Sequence, residues 1–210
     1  MRKIAEDGME RRASASALEE DLCEIAVTLI QTRQNISSRH LQEPAPSAAQ
    51  RQQLLDAAAA APDHGLINPW RFIAIPQDKR LLLAEVFAQA LVDRDPDATP
   101  EQIATAREKA HRAPLLLLAV AQLGPAEPPI RPLERMVSLG CAIQNMLLLA
   151  HAMSFGAGLT SGQALDSPRL HALFGLTEGE QAVCFVNVGT VSKRKSPRAR
   201  PLAGDFFSTI

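Results

Sequence analysis

The chain has 210 residues, 46% of them hydrophobic, and carries 22 basic against 23 acidic side chains. That length suits one compact domain with a short tail, and a net charge of −1 with a pI near 6.5 excludes the electrostatic footprint of a dedicated nucleic-acid binder. Alanine and leucine fill 61 positions while Tyr is absent and Trp occurs once, so the secondary structure should be mostly helical and aromatic stacking platforms scarce.

Residues 1 to about 15 combine charge with small residues and no apolar period, which reads as a flexible N-terminal extension ahead of a single domain over 16–210. With no continuous apolar core this start is not a signal peptide, and cytoplasmic residence is the default expectation. Ser16 and Glu19 form a capping-box pair, and Leu18, Leu22, Ile25, Leu29 and Ile30 recur at helical spacing, predicting a first helix to about Arg33. A loop through EPAP follows. Ser47 and Gln50 open a second helix, ended by Pro62, and the loop PDHGLINP leads into a strand, WRFIAI, at 70–75.

The third predicted helix covers 78–92, with Leu81, Leu82, Ala84, Val86, Ala88 and Leu91 on its buried side. Thr99, Pro100 and Gln102 supply an N-cap, a proline at the first helical position and a capping-box partner for a helix ending near Arg112. LLLLAVA at 115–121 has the continuity of a strand buried on both faces. Leu133 to Phe155 is the longest helix, apolar around nearly its whole circumference and therefore central, with Gly156 expected as its left-handed C-cap. Ser138, Gln144, Asn145, His151 and Ser154 interrupt the apolar stretch 136–155, which argues against a membrane span. Ser167, Pro168 and Gly175 bracket a short helix, and AVCFVNV at 182–188 is a further buried strand. The order describes an α+β sandwich with one central sheet.

Metal-ligand spacing is absent, since the five histidines are scattered and Cys23, Cys141 and Cys184 form no CxxC pair; each cysteine reads as a small buried hydrophobe. GxSxG, GxxxxGK[ST] and GxGxxG are absent too, and the glycines of SFGAGLTSG follow a helix where a dinucleotide fingerprint must follow a strand. Four segments remain. TRQN places Arg33 and Asn35 at a helix end, either to hold a phosphate and a heterocycle or as a solvated terminus. The proline-bracketed loop carrying Asp63, His64 and Asn68 has the rigidity that functional loops share, although a lone histidine is more often structural. GLTSG at 158–162 is a glycine-rich turn or a cradle of backbone N–H groups for a polar cofactor edge. The run Lys193, Arg194, Lys195, Arg198, Arg200 is a solvated tail or the source of one arginine for a phosphate.

RQN at 33–35, EPAP at 43–46, APDHGLINPW at 61–70, RAPL at 112–115, GCA at 140–142, SGQAL at 161–165 and VGT at 188–190 stand in the order found in the nitroreductase family, which this chain resembles over about 18–210. The resemblance implies a nitroreductase-like α+β fold, a central mixed sheet flanked by helices with a long helix at a homodimer interface. It implies FMN as cofactor, NAD(P)H as reductant, and a nitroaromatic or similar electrophilic small molecule as acceptor. On that footing Arg33, Gln34 and Asn35 contact the FMN phosphate, ribityl chain and ring edge, and Arg194 closes on the phosphate. Leu159, Thr160 and Ser161 line the ring, while His64 and Asn68 bind cofactor too, His64 from the partner subunit. Gln34 stands where the family commonly has a second arginine, and Asn35 where it has serine. The flavin carries the redox step, so no catalytic side chain is assigned. A dehydrogenase or dehalogenase on the same scaffold, and a flavin-binding protein without turnover, are the alternatives. The small residues Ser138, Gly140, Cys141 and Ala142 would pack on a symmetry mate, and the C-terminal segment with Phe206, Phe207 and Ile210 would embrace the partner chain.

Overall fold

Capping chemistry sets where several of the helices begin. The computed structural model describes residues 19–125, 127–194, 196 and 199–210, so the expected 1–15 extension and the Ser16 cap lie outside the described residues. The first helix, α1, is described over 19–32. α2 (Ala48–Ala59) starts from Ser47, whose Oγ accepts from Gln50 N while Gln50 Oε1 accepts from Ser47 N. α3 spans Arg80–Arg94, and α4 (Pro100–Glu108) opens on the reciprocal Thr99–Gln102 pair. α5 (Pro132–Ala152) is the longest, and α6 (Pro168–Phe174) runs from Ser167 to a left-handed Gly175 at φ 57°.

Five strands form one sheet: β1 (Leu41–Gln42), β2 (Trp70–Ala74), β3 (Leu115–Gln122), β4 (Gly156–Thr160) and β5 (Glu180–Val191). β5 is the spine, with β3 on one side, and β4 and β1 in succession along the other; β2 extends the sheet beyond β3. These ladders are antiparallel, and the one parallel pairing among the described residues is the bridge Asn35–Ala157 on the free edge of β4.

Side-chain alternation divides the core into two layers. Leu115, Leu117, Ala119 and Ala121 of β3, with Cys184, Val186 and Val188 of β5, pack under α2 and α5. Leu116, Leu118 and Val120, with Phe185, pack under α3 and α6. No helix among the described residues is long and apolar enough to cross a membrane.

Four local expectations are corrected. The α3 face differs, because Leu81 and Leu82 are 73% and 53% exposed, while Arg80, Leu83, Ala84, Ala88 and Ala90 are buried. Arg80 enters the core because its guanidinium satisfies carbonyls of Ile75, Ala110, Arg112, Ala113 and Pro114. At the end of α5 the left-handed residue is Ser154, φ 67°, and Gly156 already lies in β4. There a Cβ would come within 2.5 Å of Val191 Cγ2 and 2.8 Å of Leu41 Cδ2, so contact and not conformation requires the glycine. The small residues of α5 divide, since Ser138 and Ala142 are buried within this chain while Gly140 is open. Of the cysteines, only Cys184 is fully buried; Cys141 is half-buried and Cys23 exposed.

Candidate active site

Where α1 ends, its last turn meets the last turn of α5. Thr32 Oγ1 donates to Thr28 O at 2.6 Å and lies 2.8 Å from His151 Nε2, so the imidazole N–H donates to the hydroxyl oxygen. Burial, then Arg194 and Arg33, hold His151 below the usual imidazole range. Arg200 reaches back from the C-terminal segment to the carbonyls of Gln31 and Arg33, at 3.4 and 3.1 Å. Arg33 is itself pushed down from its ordinary value by burial and by Arg200, and it stays charged as every guanidinium does. Among the described residues none of these three arginines has a carboxylate within ion-pair distance. Clustered cations without an internal counter-ion form a site suited to a multiply charged anion. Lys195 and Arg198 of the same run lie outside the described residues.

From this cluster the chain passes along the edge of β4. Gln34 Oε1 is buried without a hydrogen-bond partner, an acceptor left open beside the arginines. Ile36 N donates to Ala157 O at 2.9 Å, and Asn35 Oδ1 accepts from Leu159 N at 3.4 Å. The two segments close so tightly that a Cβ on residue 158 would stand 2.2 Å from Ile36 O, so Gly158 is fixed by the approach. The GLTSG segment is a strand as far as Thr160, paired with β5 and with Leu159 N donating to Asn35.

Strand geometry then separates neighbours. Leu159 pairs with Val186 and faces the α5 layer, whereas Thr160 pairs with Phe185 and faces the α3 layer. On that second side Thr160, Ser161 and Gly162 border a cavity of about 770 Å3 between the sheet, α3 and α4. Its floor is Leu116, Phe185, Phe87 and Leu91, the two aromatic rings meeting edge-on at 5.7 Å. Buried Asn187 braces the mouth, its Nδ2 donating to Gly158 O, Thr160 Oγ1 and Phe185 O. Arg94, Lys109 and Arg112 stand on the lining as well.

His64 and Asn68 lie elsewhere. His64 Nδ1 donates to Glu134 Oε2 at 2.8 Å, and Arg131 Nε donates to Glu134 Oε1 at 2.9 Å. These bonds, His64 first, hold the Glu134 carboxyl below its usual range. Asp63 Oδ2 accepts from Asn68 N at 2.6 Å, which locks Asn68 at φ 46° and leaves Asp63 Oδ1 buried and unpaired. Glu134 opens α5 and His151 closes it, so the two groups stand about 25 Å apart at a rise of about 1.5 Å per residue. One chain thus unites Arg33, Gln34, Asn35, Arg194 and the 159–161 segment, but not His64 and Asn68. Sequence reasoning names Arg200 only within the basic run, and it missed Asn187 and the cavity cations, which carry no motif beyond the RAPL that contains Arg112.

A family model described as the nitroreductase family matches residues 32–190. The chain belongs to the nitroreductase family. A Haemophilus influenzae protein named as an NAD(P)H nitroreductase is 32% identical over 184 residues, 88% of this chain and 98% of its own length. The Escherichia coli protein YdjA, named likewise, is 34% identical over 160 residues, 76% of this chain and 86% of its own. Among solved structures, a nitroreductase-like protein from Bacillus cereus superposes with a TM-score of 0.74 at 22% identity, covering 89% of this chain and 95% of its own. A nitroreductase with bound FMN from Desulfitobacterium hafniense superposes with a TM-score of 0.64 at 19% identity, covering 89% and 98%. The nitroreductase-like α+β fold expected from the sequence is the fold observed.

Proposed function

We propose that this member of the nitroreductase family is an FMN-dependent NAD(P)H oxidoreductase that reduces nitroaromatic or related electrophilic small molecules. The observation that carries the reading is the Arg33, Arg194 and Arg200 cluster, unneutralised among the described residues and set beside Gln34 and Asn35. The cluster fits the FMN phosphate, the open Gln34 Oε1 fits a ribityl hydroxyl, and the 159–161 segment leads a ring to the chamber mouth. FMN, when bound, supplies a two-electron relay between a nicotinamide hydride donor and the acceptor. The chain's own groups supply position: Asn35 fixes Leu159, Asn187 fixes Thr160, and the apolar floor keeps water from the acceptor.

The working form in this reading is a homodimer. His64 and Asn68 stand at the far end of α5 from Arg33, so a site that uses both sets draws them from two chains. Leu22, Ile25, Val27 and Ile30 of α1, Leu133 and Val137 of α5, and Phe206, Phe207 and Ile210 are exposed apolar surface of the kind a partner covers.

Purified protein tests the proposal directly. It should be yellow, or take up added FMN, and bleach anaerobically with NADH or NADPH. A colourless protein that takes up no FMN refutes the flavin reading, and a yellow one that neither donor bleaches leaves only a flavin-binding protein. Arg33→Ala and Arg194→Ala should each weaken FMN retention about tenfold or more, as loss of a charge-assisted phosphate contact does. Unchanged retention in both would refute the phosphate assignment.

A further inference from the structure

We infer that the cavity between the sheet, α3 and α4 selects acceptors that carry a carboxylate on a flat apolar body, a specificity that rests on the flavin reading above. Three observations converge. The Arg112 side chain is 14% exposed, and its Nε is buried with no hydrogen-bond partner among the described residues. Its Nη2 donates to Glu108 at 3.3 Å, and the residue itself stands on the chamber lining. Arg94 and Lys109 add two further cations, and Glu101 is the one carboxylate on the lining among the described residues. In a chain of net charge −1 this is a local cationic excess.

The floor rules on the rest of the ligand. Phe87, Leu91, Leu116, Leu165 and Phe185 present apolar surface, which a sugar phosphate would leave unfilled and an aromatic ring would cover. The volume of about 770 Å3 falls within the usual range for small-molecule sites. Arg112 is also held in advance, because Arg80 donates to the carbonyls of Arg112, Ala113 and Pro114 and fixes the backbone that carries it.

The test compares 4-nitrobenzoate with its neutral methyl ester in steady-state turnover by the FMN-loaded protein, and by calorimetric titration into the protein without reductant. The native protein should favour the carboxylate at least about tenfold in kcat/KM, the scale of one charge-assisted hydrogen bond. Arg112→Gln should raise KM for 4-nitrobenzoate about tenfold with kcat within about twofold, and leave KM for the ester and for NAD(P)H unchanged. Should that variant fold poorly, the double variant Arg94→Ala/Lys109→Ala, at exposed positions, should raise the same KM about threefold. An ester used as well as the acid, or variants that raise KM for NAD(P)H and not for the acid, would overturn the inference. Yellow, bleachable protein without charge preference sinks this inference alone. Protein that binds the acid but never FMN sinks the flavin reading alone.

Discussion

Removing the guanidinium of Arg80 should cost this protein about 3–5 kcal/mol. The side chain is fully buried, with Nε donating to Ile75 O and Nη1 to Ala110 O, both at 2.8 Å, and three longer bonds at 3.3–3.4 Å to Arg112, Ala113 and Pro114. Burial without a carboxylate partner pushes the guanidinium below its ordinary value, a desolvation penalty that its carbonyl bonds must exceed. Arg80→Met keeps most of the stem volume and deletes the donors, so the loss is chiefly that of stranded carbonyls. Two short charge-assisted bonds at about 1.5–3 kcal/mol each dominate, and the longer three add little. For a chain of this size each kcal/mol moves Tm by about 2–4 °C, so melting should fall by roughly 10 °C at fixed protein concentration. Urea unfolding and calorimetry should agree, and Leu81→Ala, one residue along on the exposed face, should stay within about 0.5 kcal/mol. Arg80→Lys should recover less than half, because one ammonium cannot span the carbonyl set. A loss below about 1 kcal/mol in Arg80→Met would show that desolvation cancels the bonds and would refute the reasoning.

Three further outcomes are expected. The Arg71 guanidinium draws the Glu180 carboxyl down to about 2, against about 4.3 unfolded, so their stabilisation is complete above that unfolded value and fades as pH falls toward 2. Glu180 is 8% exposed but Arg71 is 44%, so solvent screening holds the effect to about 1–2 kcal/mol; Glu180→Gln should lose that at pH 7 and match the native protein near pH 2 in acid-unfolding curves. In Gly158→Ala the new methyl would meet Ile36 O at 2.2 Å and part the 33–36 segment from β4, which should weaken FMN binding more than tenfold in fluorescence titration while lowering stability by about 1–3 kcal/mol. Deleting residues 203–210, whose aromatic side chains are exposed, should shift sedimentation velocity toward the monomer, and an unchanged profile would speak against the embracing tail.

Helices with local punctuation were legible in the residues alone. Ser47 with Gln50, Thr99 with Gln102, and Ser167 with Gly175 act within a few residues, and each stands where the sequence predicts it. β3 was readable because a run apolar on both faces has few other homes. Gly156 and Gly158 misled for the opposite reason: their cause is the approach of Val191, Leu41 and Ile36 from distant parts of the chain. Arg80 and Arg135 look like ordinary surface cations, yet each fills a cage of carbonyls, Arg135 gathering Ile130, Gln122, Gly124, Pro125 and Pro128. In the site, Arg33 and Arg194 were readable as candidates for one anion, since Arg33 ends a predicted helix and Arg194 lies in the basic run that follows a predicted strand. The chamber was not, because six separate segments line it and no spacing in sequence ties Arg112 to Phe87 or Asn187.

The alternation along β4 makes the enzyme's two faces separately adjustable. Because Leu159 and Thr160 look into different layers, residue 160 can be varied to reshape the chamber without touching the α5 side, and residue 159 the reverse. Point substitution and deletion should therefore behave as different kinds of change here. Losing one residue between Gly156 and Gly158 would slide every following side chain across the sheet, turning Leu159 toward the α3 layer in the place of Gly158 and Thr160 toward the α5 layer.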